Sequence, residues 1–516
     1  MTICTLSVLT SSTSFSQELK VNGALDPMTG THDGLFWDTA YVHPQDALDN
    51  IANGGAFTEV WVAEGLYLPQ GGTLGSTFSV PNGIAVIGGF RPGDLFEESR
   101  TGSARATILS GDIGTTNDPS DNCRHVVTIG EGPAETRIES FTIVDGNAQG
   151  IFGPNGVGGG ILCRNSDLRV NGCYIRDNLA DRGAGIYVGR EPGGFSGQES
   201  SGGVRLHGCI FENNFARKTG GAIHLAEYGV PSLPSPGFTV AEPSWIMDCF
   251  FTRNSAGLQS SNDQVIAAQG GGAIYFGDRN QRVLTSPNAG LNMWVYNSRF
   301  TNNSVRGRGA ACFLSETYEN GGVNTFLNCT MAYNFVLQTD SIASSQRGGG
   351  TIWVAAMQSY PSNLACNHMI NSIVYSTLAA GGGPAAGDAI TGPGSNSGQA
   401  QVFGAGLYAT FSDIEVVLAS TPAVYGQNTA SNIDLGPLFV DVPGRDLRLQ
   451  FSSPCRDTGL TSGAPLFTIV PDWPNVDGSA SIPANNDPYP SELYRTRLRN
   501  VPTSIDMVCH EVQPGE

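Results

Sequence analysis

The stretch GCIFENNFARKTGGAIHL, residues 208–225, contains two short motifs that recur along the chain. The first motif aligns without gaps in five segments and in a divergent sixth, which are NGCYIRDNLA (171–180), HGCIFENNFA (207–216), MDCFFTRNSA (247–256), YNSRFTNNSV (296–305), LNCTMAYNFV (327–336) and INSIVYSTLA (370–379). The second motif alternates with the first, as GGGILC (158–163), GAGIYV (183–188), GGAIHL (220–225), GGGAIYF (270–276), GAACFL (309–314) and GGGTIWV (348–354). This alternation indicates a repeat protein.

Both motifs have the composition of β-strands. They are rich in β-branched and aromatic residues and are bounded by glycine, asparagine and serine, which predicts a strand of four or five residues followed by a corner. No apolar period of 3.6 residues persists, so the motifs are not helical. Strands repeated without intervening helices predict an all-β, right-handed parallel β-helix, and the 25 residues from Ile161 to Ile186 correspond to about one turn of such a solenoid.

Two columns of small polar residues follow from the alignment. One column consists of Cys173, Cys209, Cys249, Ser298, Cys329 and Ser372, and the other of Asn178, Asn214, Asn254, Asn303 and Asn334. Equivalent residues of stacked coils lie about 4.8 Å apart, so we expect the asparagines to form a buried, hydrogen-bonded ladder. We interpret the cysteines as small apolar side chains inside the coil rather than as a metal or redox site. The glycine pairs are expected to form sharp corners.

The sequence divides into four parts. Residues 1–19 are interpreted as a truncated secretory signal, residues 20–77 as an N-terminal cap and first coil, residues 78–431 as the β-helix with loop insertions, and residues 432–516 as closing coils with a C-terminal cap and tail. The segment QDALDNIANGG (45–55) is predicted to be a helix that covers the open end of the solenoid. Long insertions recur at two phases of the repeat, where they are expected to form the wall of a groove.

Composition restricts the partners. The chain has 516 residues, 14% charged residues and a formal charge of −19, which disfavours nucleic acid and anionic membranes and leaves calcium open as a cofactor. We find no apolar run of about 18 residues, so no transmembrane helix is predicted. The 11 cysteines include no CxxC pair, which argues against a zinc site. We expect a monomer that is secreted or held at the outer cell surface.

The GGAI segments (220–223 and 271–274) and the FxxN pairs resemble the repeat of polymorphic outer membrane proteins. The order of the segment 33–69, then IGGF, ILSGD, FTIVDGNA, GPLFVD, SPCRDTG and IDMVCHE, is similar to that of secreted bacterial right-handed β-helix proteins of the pectin-lyase-like superfamily. The resemblance implies the same fold and a location outside the cell. Against the related pattern, Cys455 and Cys509 suggest a disulfide that fixes the C-terminal cap.

Two functions are consistent with these features. The first is binding of polysaccharide or another surface, in an adhesive or structural role. Tyr187, Tyr228 and Tyr275 lie at or after strands of the second motif and are the predicted sugar-stacking residues, although they would also fit beneath loops. We interpret His224, on the same strands, as a structural residue.

The alternative is a polysaccharide lyase or glycoside hydrolase that acts on acidic polysaccharide in the groove. A calcium-dependent lyase needs clustered acids and a base. The candidate catalytic residues are Asp181, Glu212, Arg217 and Lys218. The same residues would also fit a solvated corner of mixed charge.

Overall fold

A computed structural model describes residues 18–150, 156–164, 166–189, 203–225, 244–257, 270–277, 293–314, 324–337, 351–354, 367–375, 378–380, 390–391, 407–410, 412–414, 433, 435–441 and 446–455, and the structural statements below concern these residues. They form four long parallel sheets. From Thr136 to Thr391 each coil contributes one strand to each sheet in turn, whereas the earlier coils have no strand in the sheet that begins at Asn147. This confirms the predicted all-β parallel β-helix.

Sheet I consists of Glu18–Val21, Glu59–Ala63, Ala85–Phe90, Thr136–Glu139, Leu168–Asn171, Val204–His207, Ser244–Met247, Met293–Tyr296, Asn324–Leu327, Asn367–Ile370 and Leu407–Thr410. Sheet II consists of Gly65–Tyr67, Thr107–Ser110, Thr142–Val144, Tyr174–Arg176, Ile210–Glu212, Phe250–Thr252, Arg299–Thr301, Thr330–Ala332, Ile373–Tyr375 and Asp413–Ile414. Sheet III consists of Asn147–Ala148, Leu179–Arg182, Phe215–Thr219, Ser255–Ala256, Ser304–Val305, Phe335–Leu337 and Leu378–Ala380. Sheet IV consists of Phe78–Val80, Val127–Ile129, Ile161–Cys163, Ile186–Val188, Ile223–Leu225, Ile274–Phe276, Cys312–Leu314, Ile352–Val354 and Ile390–Thr391.

Left-handed residues divide each coil into its strands. They lie between sheets I and II at Ser140, Gly172, Gly208, Asp248, Asn297, Asn328 and Asn371, between sheets II and III at Asp145, Asp177, Asn213, Arg253, Asn302 and Tyr333, and between sheets III and IV at Gly158, Gly183, Gly220, Gly271 and Gly309. Glycine, asparagine and aspartate adopt this conformation at the lowest cost. At Gly220 a Cβ would lie 2.2 Å from the Ile223 carbonyl oxygen, so no other residue fits there. The first motif therefore supplies strands to two sheets rather than one.

The predicted asparagine ladder is present. Asn214 is fully buried, and its Nδ2 donates to Asn254 Oδ1 at 2.9 Å and to the Ile175 carbonyl oxygen at 2.9 Å. Asn254 repeats both bonds one coil further on, to Asn303 Oδ1 at 3.0 Å and to the Phe211 carbonyl oxygen at 2.9 Å. Each amide thus satisfies its neighbour, which meets the requirement that buried polar groups be paired.

The cysteine column lies in the interior with the large apolar side chains. Cys173, Cys209, Cys249 and Cys329 are buried, and the first three are free thiols. Burial raises the pKa of Cys173 and Cys249 well above the usual value, so they stay protonated. These observations support the interpretation of the column as packing. Cys455 is also buried, and Cys509, its predicted disulfide partner, lies outside the described residues, so that disulfide stays a prediction.

A helix covers the N-terminal end of the solenoid, and a hairpin packs on one side of it near the C-terminal end. The helix Pro44–Ala52 buries Pro44, Ala47, Leu48 and Ile51 against the first coil, as predicted, and a single 3₁₀ turn follows at Glu97–Ser99. Near the other end Phe439–Asp441 and Asp446–Leu449 form an antiparallel pair. Phe439, Leu447 and Leu449 pack with Ala332 and Ile373 on the outer face of sheet II. The hairpin falls within residues 432–516, which the sequence analysis interprets as closing coils with a C-terminal cap and tail.

Candidate functional site

The outer face of sheet II has an open cleft of about 440 Å³, which we call the arginine cleft. It is lined by Arg105, Ile108, Thr142, Tyr174, Arg176, Asp177, Glu212, Asn213 and Arg253. The hairpin at Phe439–Leu449 covers the same face several coils further along, since it packs on Ala332 and Ile373. No described residue of the hairpin lines the cleft.

The register of sheet II forms the floor of the cleft. Ile108 pairs with Thr142, and Thr142 pairs with Tyr174, so the three side chains form one outward column. The ring of Tyr174 lies beneath two guanidinium groups, with the Cζ atom of Arg105 4.7 Å and that of Arg176 5.6 Å from its centroid. The hydroxyl group of Tyr174 donates a hydrogen bond to Glu212. The floor is thus an aromatic ring with charged groups around it.

The walls of the cleft carry an excess of positive charge. Arg176 pairs with Asp177, and Arg253 Nη1 lies 3.4 Å from Glu212 Oε1. Three arginines against two carboxylates leave a local excess of one positive charge on a chain whose formal charge is −19. The Arg253 side chain is 55% exposed, and ion pairs at such exposure contribute little to stability. These guanidinium groups can therefore exchange their partners for an anionic ligand at low cost.

Arg253 adopts an unfavourable backbone conformation. Its φ of 57° is left-handed, at a corner where three of the other copies have Asp177, Asn213 and Asn302. A non-glycine residue in this region costs about 1 kcal/mol or more, and asparagine and aspartate tolerate it best. Tyr333 occupies the equivalent corner of a later coil at φ 56°, so the left-handed conformation alone does not assign a function to Arg253.

The four predicted catalytic residues do not form one site. Glu212 lies in the arginine cleft, whereas Asp181, Arg217 and Lys218 are strand residues of sheet III. Asp181 is buried, and its two carboxylate oxygens bind Lys218 Nζ at 2.9 Å and Arg217 Nη1 at 3.4 Å. The register of sheet III shifts at this point, which places the two cations side by side opposite one acid. This arrangement is that of a structural ion pair.

The predicted sugar-stacking tyrosines have their ring faces covered. Tyr187 and Tyr275 are 1% and 5% exposed, and they stack on either side of His224 at centroid distances of 5.1 and 4.6 Å. Tyr228 lies outside the described residues. Sugar binding by Tyr187 and Tyr275 stays a prediction that this geometry does not favour, and for Tyr228 it stays a prediction. Burial among the rings lowers the pKa of His224 well below its usual value, consistent with the structural interpretation.

Sequence reasoning missed Arg105, Tyr174, Arg176 and Arg253. Arg105 and Arg253 are far apart in the sequence and meet only through the register of sheet II. A signal for Arg253 was present, since the residue before the ladder asparagine is aspartate or asparagine in three aligned copies and arginine in TRN (252–254). The arginine at this position stands out only once the structure shows that the position has a left-handed backbone conformation.

Comparisons with protein-family models, with curated proteins and with solved structures found no match to this chain. Across the described ranges, no three histidine, cysteine, aspartate or glutamate side chains converge in a way that would hold a metal ion. The helix described here is too short to cross a bilayer, and the search of the same residues found no other helix that would.

Proposed function

We propose that this chain binds polysaccharide through the arginine cleft, in a structural or adhesive role outside the cell. The observation that carries the proposal is the open cleft in which Arg105 and Arg176 lie over the ring of Tyr174 and Arg253 pairs with Glu212. A planar guanidinium group binds a carboxylate or sulfate group with two parallel hydrogen bonds. The Tyr174 ring holds two of these guanidinium groups in place by cation–π contacts. We therefore expect a preference for acidic glycans.

The test is a comparison of acidic and neutral glycans. The chain would be titrated with uronic-acid and sulfated oligosaccharides and with a neutral glucan, by calorimetry at low and at physiological salt. We expect saturable binding of the acidic ligands that weakens with salt, because the contacts are ionic. Arg176→Gln and Arg253→Asn should each weaken binding about 10-fold, in line with ~1.5 kcal/mol for a charged hydrogen bond.

The matched control is Arg91→Asn. Arg91 is similarly exposed, at 57%, and pairs with Glu64 outside the cleft. Its replacement should leave binding within about twofold, since rim charges away from a site contribute little. Equal losses from Arg91→Asn and Arg253→Asn would show that binding follows net charge rather than the cleft, and the proposal would fail.

A second candidate function is cleavage of the bound glycan. The observation that favours it is the hydrogen bond between the Tyr174 hydroxyl group and Glu212 beside Arg253. A carboxylate next to a phenol and a guanidinium group provides a proton acceptor, a donor and a charge stabiliser. Absorbance near 235 nm and new reducing ends would report cleavage. Activity lost in Glu212→Gln and retained in Asp181→Asn would establish catalysis in the cleft, and no product from either assay would reject it.

A further inference from the structure

The loop at residues 111–123, which follows the second strand of sheet II, is closed at its neck and fixed to the solenoid. The Cys123 amide donates to the Gly111 carbonyl oxygen at 2.9 Å, which joins the two arms of the loop. Asn147, at the start of sheet III, donates from its side chain to the Pro119 carbonyl oxygen at 2.6 Å. The loop therefore has a defined shape, with its polar residues held between the neck and this contact.

Two carboxylates turn into this loop and each uses one oxygen. Asp112 Oδ2 accepts the Asn117 amide at 3.0 Å, and Asp121 Oδ2 accepts the Thr115 amide at 2.7 Å. The Asp121 carboxyl group lies over Gly114, where a Cβ would be 2.4 Å from its Cγ atom. Both acids are thus directed at the backbone of the loop rather than at solvent.

Three buried oxygen atoms of the loop have no hydrogen-bond donor. They are the Oδ1 atoms of Asp112, Asp121 and Asn122. Asn122 is 6% exposed, so its side chain cannot turn to bulk water. Buried acceptors are almost always paired, and an orphaned one is costly. Three in one loop, two of them on carboxylates, leave acceptor positions open to a cation, and the next basic residue, Arg124, has a buried Nε that itself lacks a hydrogen-bond partner.

We propose that the loop binds one calcium ion through Asp112, Asp121 and Asn122. Carboxylate and amide oxygens are the ligands that calcium uses, with backbone carbonyls or water completing six to eight positions. Magnesium demands a stricter octahedron and binds fewer protein ligands. Because only two carboxylates contribute, the affinity belongs to the weak class of extracellular calcium modules, about 10⁻⁴–10⁻³ M. This proposal does not rest on the proposed function, although Asp145 interacts electrostatically with both Arg176 of the cleft and Asp112 of the loop.

The experiment uses the full chain after treatment with EDTA. Calcium chloride is titrated from about 0.01 to 10 mM by calorimetry, and thermal unfolding is followed in parallel, with magnesium chloride as the comparison. We expect saturable binding of one calcium ion and an unfolding midpoint raised by at least about 3 °C at saturation, because an ion that binds only the folded state stabilises it. Magnesium should produce less than half of the shift.

Variants locate the ion. Asp112→Asn and Asp121→Asn keep an oxygen for the loop amides and should weaken calcium binding at least about 10-fold by removing one charge. The control is Asp118→Asn in the same loop, whose carboxyl group is exposed and accepts the Ser120 amide at 2.9 Å. It should stay within about threefold of the unaltered chain, as expected for a screened charge.

The proposal is overturned if the unaltered chain shows no saturable heat and no shift of its unfolding midpoint with calcium. It is also overturned if Asp118→Asn weakens binding as much as Asp121→Asn, because the effect would then be diffuse attraction. Should the two aspartate variants fail to fold, Asn122→Asp decides the matter. An added carboxylate at a ligand position should tighten calcium binding, and unchanged or weaker binding would exclude Asn122 from the site.

Discussion

Replacing Asn254 by aspartate removes the two donors of one amide in the asparagine ladder without changing its shape. Asn254 Nδ2 donates to the Phe211 carbonyl oxygen at 2.9 Å and to Asn303 Oδ1 at 3.0 Å. Its Oδ1 accepts from Asn214, which an aspartate would still do. In the variant the carboxylate oxygen that replaces Nδ2 would face the Phe211 carbonyl oxygen and Asn303 Oδ1 without a hydrogen bond to either. Each of these two orphaned acceptors costs about 1–3 kcal/mol. We therefore expect a loss of about 2–6 kcal/mol in the local free energy of unfolding at pH 7.

The loss should depend on pH. Residue 254 is fully buried, so the new carboxyl group should have a pKa above its unfolded value of about 3.9. A group whose pKa is raised in the folded state stabilises below its unfolded pKa and loses that contribution as the pH rises through the folded pKa. The protonated acid also regains one donor. The variant should therefore approach the unaltered chain in stability as the pH falls toward 4.

Hydrogen exchange of the amides around Asn214 and Phe250 measures this local free energy, which suits a solenoid that need not unfold as one unit. The control is Asn302→Asp, at a half-buried corner where Asp145 and Asp177 occupy equivalent positions. It should change stability by no more than about 0.5 kcal/mol. If Asn254→Asp were as stable as Asn302→Asp at pH 7, the ladder would not have the energetic role assigned to it.

Three further predictions follow from individual residues. Arg253→Asn should raise the free energy of unfolding by about 1 kcal/mol, because asparagine adopts the left-handed conformation of this corner at a lower cost than arginine. The urea midpoint should rise accordingly, and an unchanged or lower midpoint would contradict the assigned strain. For His224, whose folded pKa lies well below the unfolded value of about 6.5, stability should fall as the pH drops below 6.5, by up to ~1.4 kcal/mol per pH unit. His224→Phe should flatten that part of the stability profile measured by urea titration between pH 7 and 5, and an identical slope in both proteins would refute the assignment. The thiol groups of Cys173, Cys209 and Cys249 should resist alkylation in the folded chain and react after unfolding in urea, whereas rapid modification of the folded chain, detected by peptide mass, would contradict their burial.

The solenoid was predictable because its determinants are local and repeated. The column from Asn178 to Asn334 is visible in the sequence, since a parallel stack places equivalent residues of successive coils in register. The number of strands per coil was not predictable, because it depends on left-handed corners such as Asp177 and Arg253, whose conformation the residue type alone does not specify. The covering of Tyr187 and Tyr275 was equally hidden, since stacked rings about 5 Å apart bury each other's faces whichever side of the sheet they occupy.

The candidate site was the least predictable part. Arg105, Tyr174 and Arg253 come from separate coils, and only the pairing register of sheet II brings them to one face. The sequence instead favoured Asp181, Arg217 and Lys218, which lie on neighbouring coils and form ion pairs with one another in sheet III. Clustering in sequence and clustering in space differ in a solenoid, because a site on one face takes a few residues from each of several coils.

Binding of an acidic oligosaccharide can be localised by hydrogen exchange of the chain with and without a uronic-acid hexasaccharide. If the arginine cleft is the binding site, the ligand should slow exchange in the segments 105–110, 174–177 and 210–214, which contribute its lining, and leave sheet IV unchanged. Protection confined to sheet IV around Tyr187 and Tyr275, or no protection at a saturating ligand concentration, would contradict the assignment of the cleft.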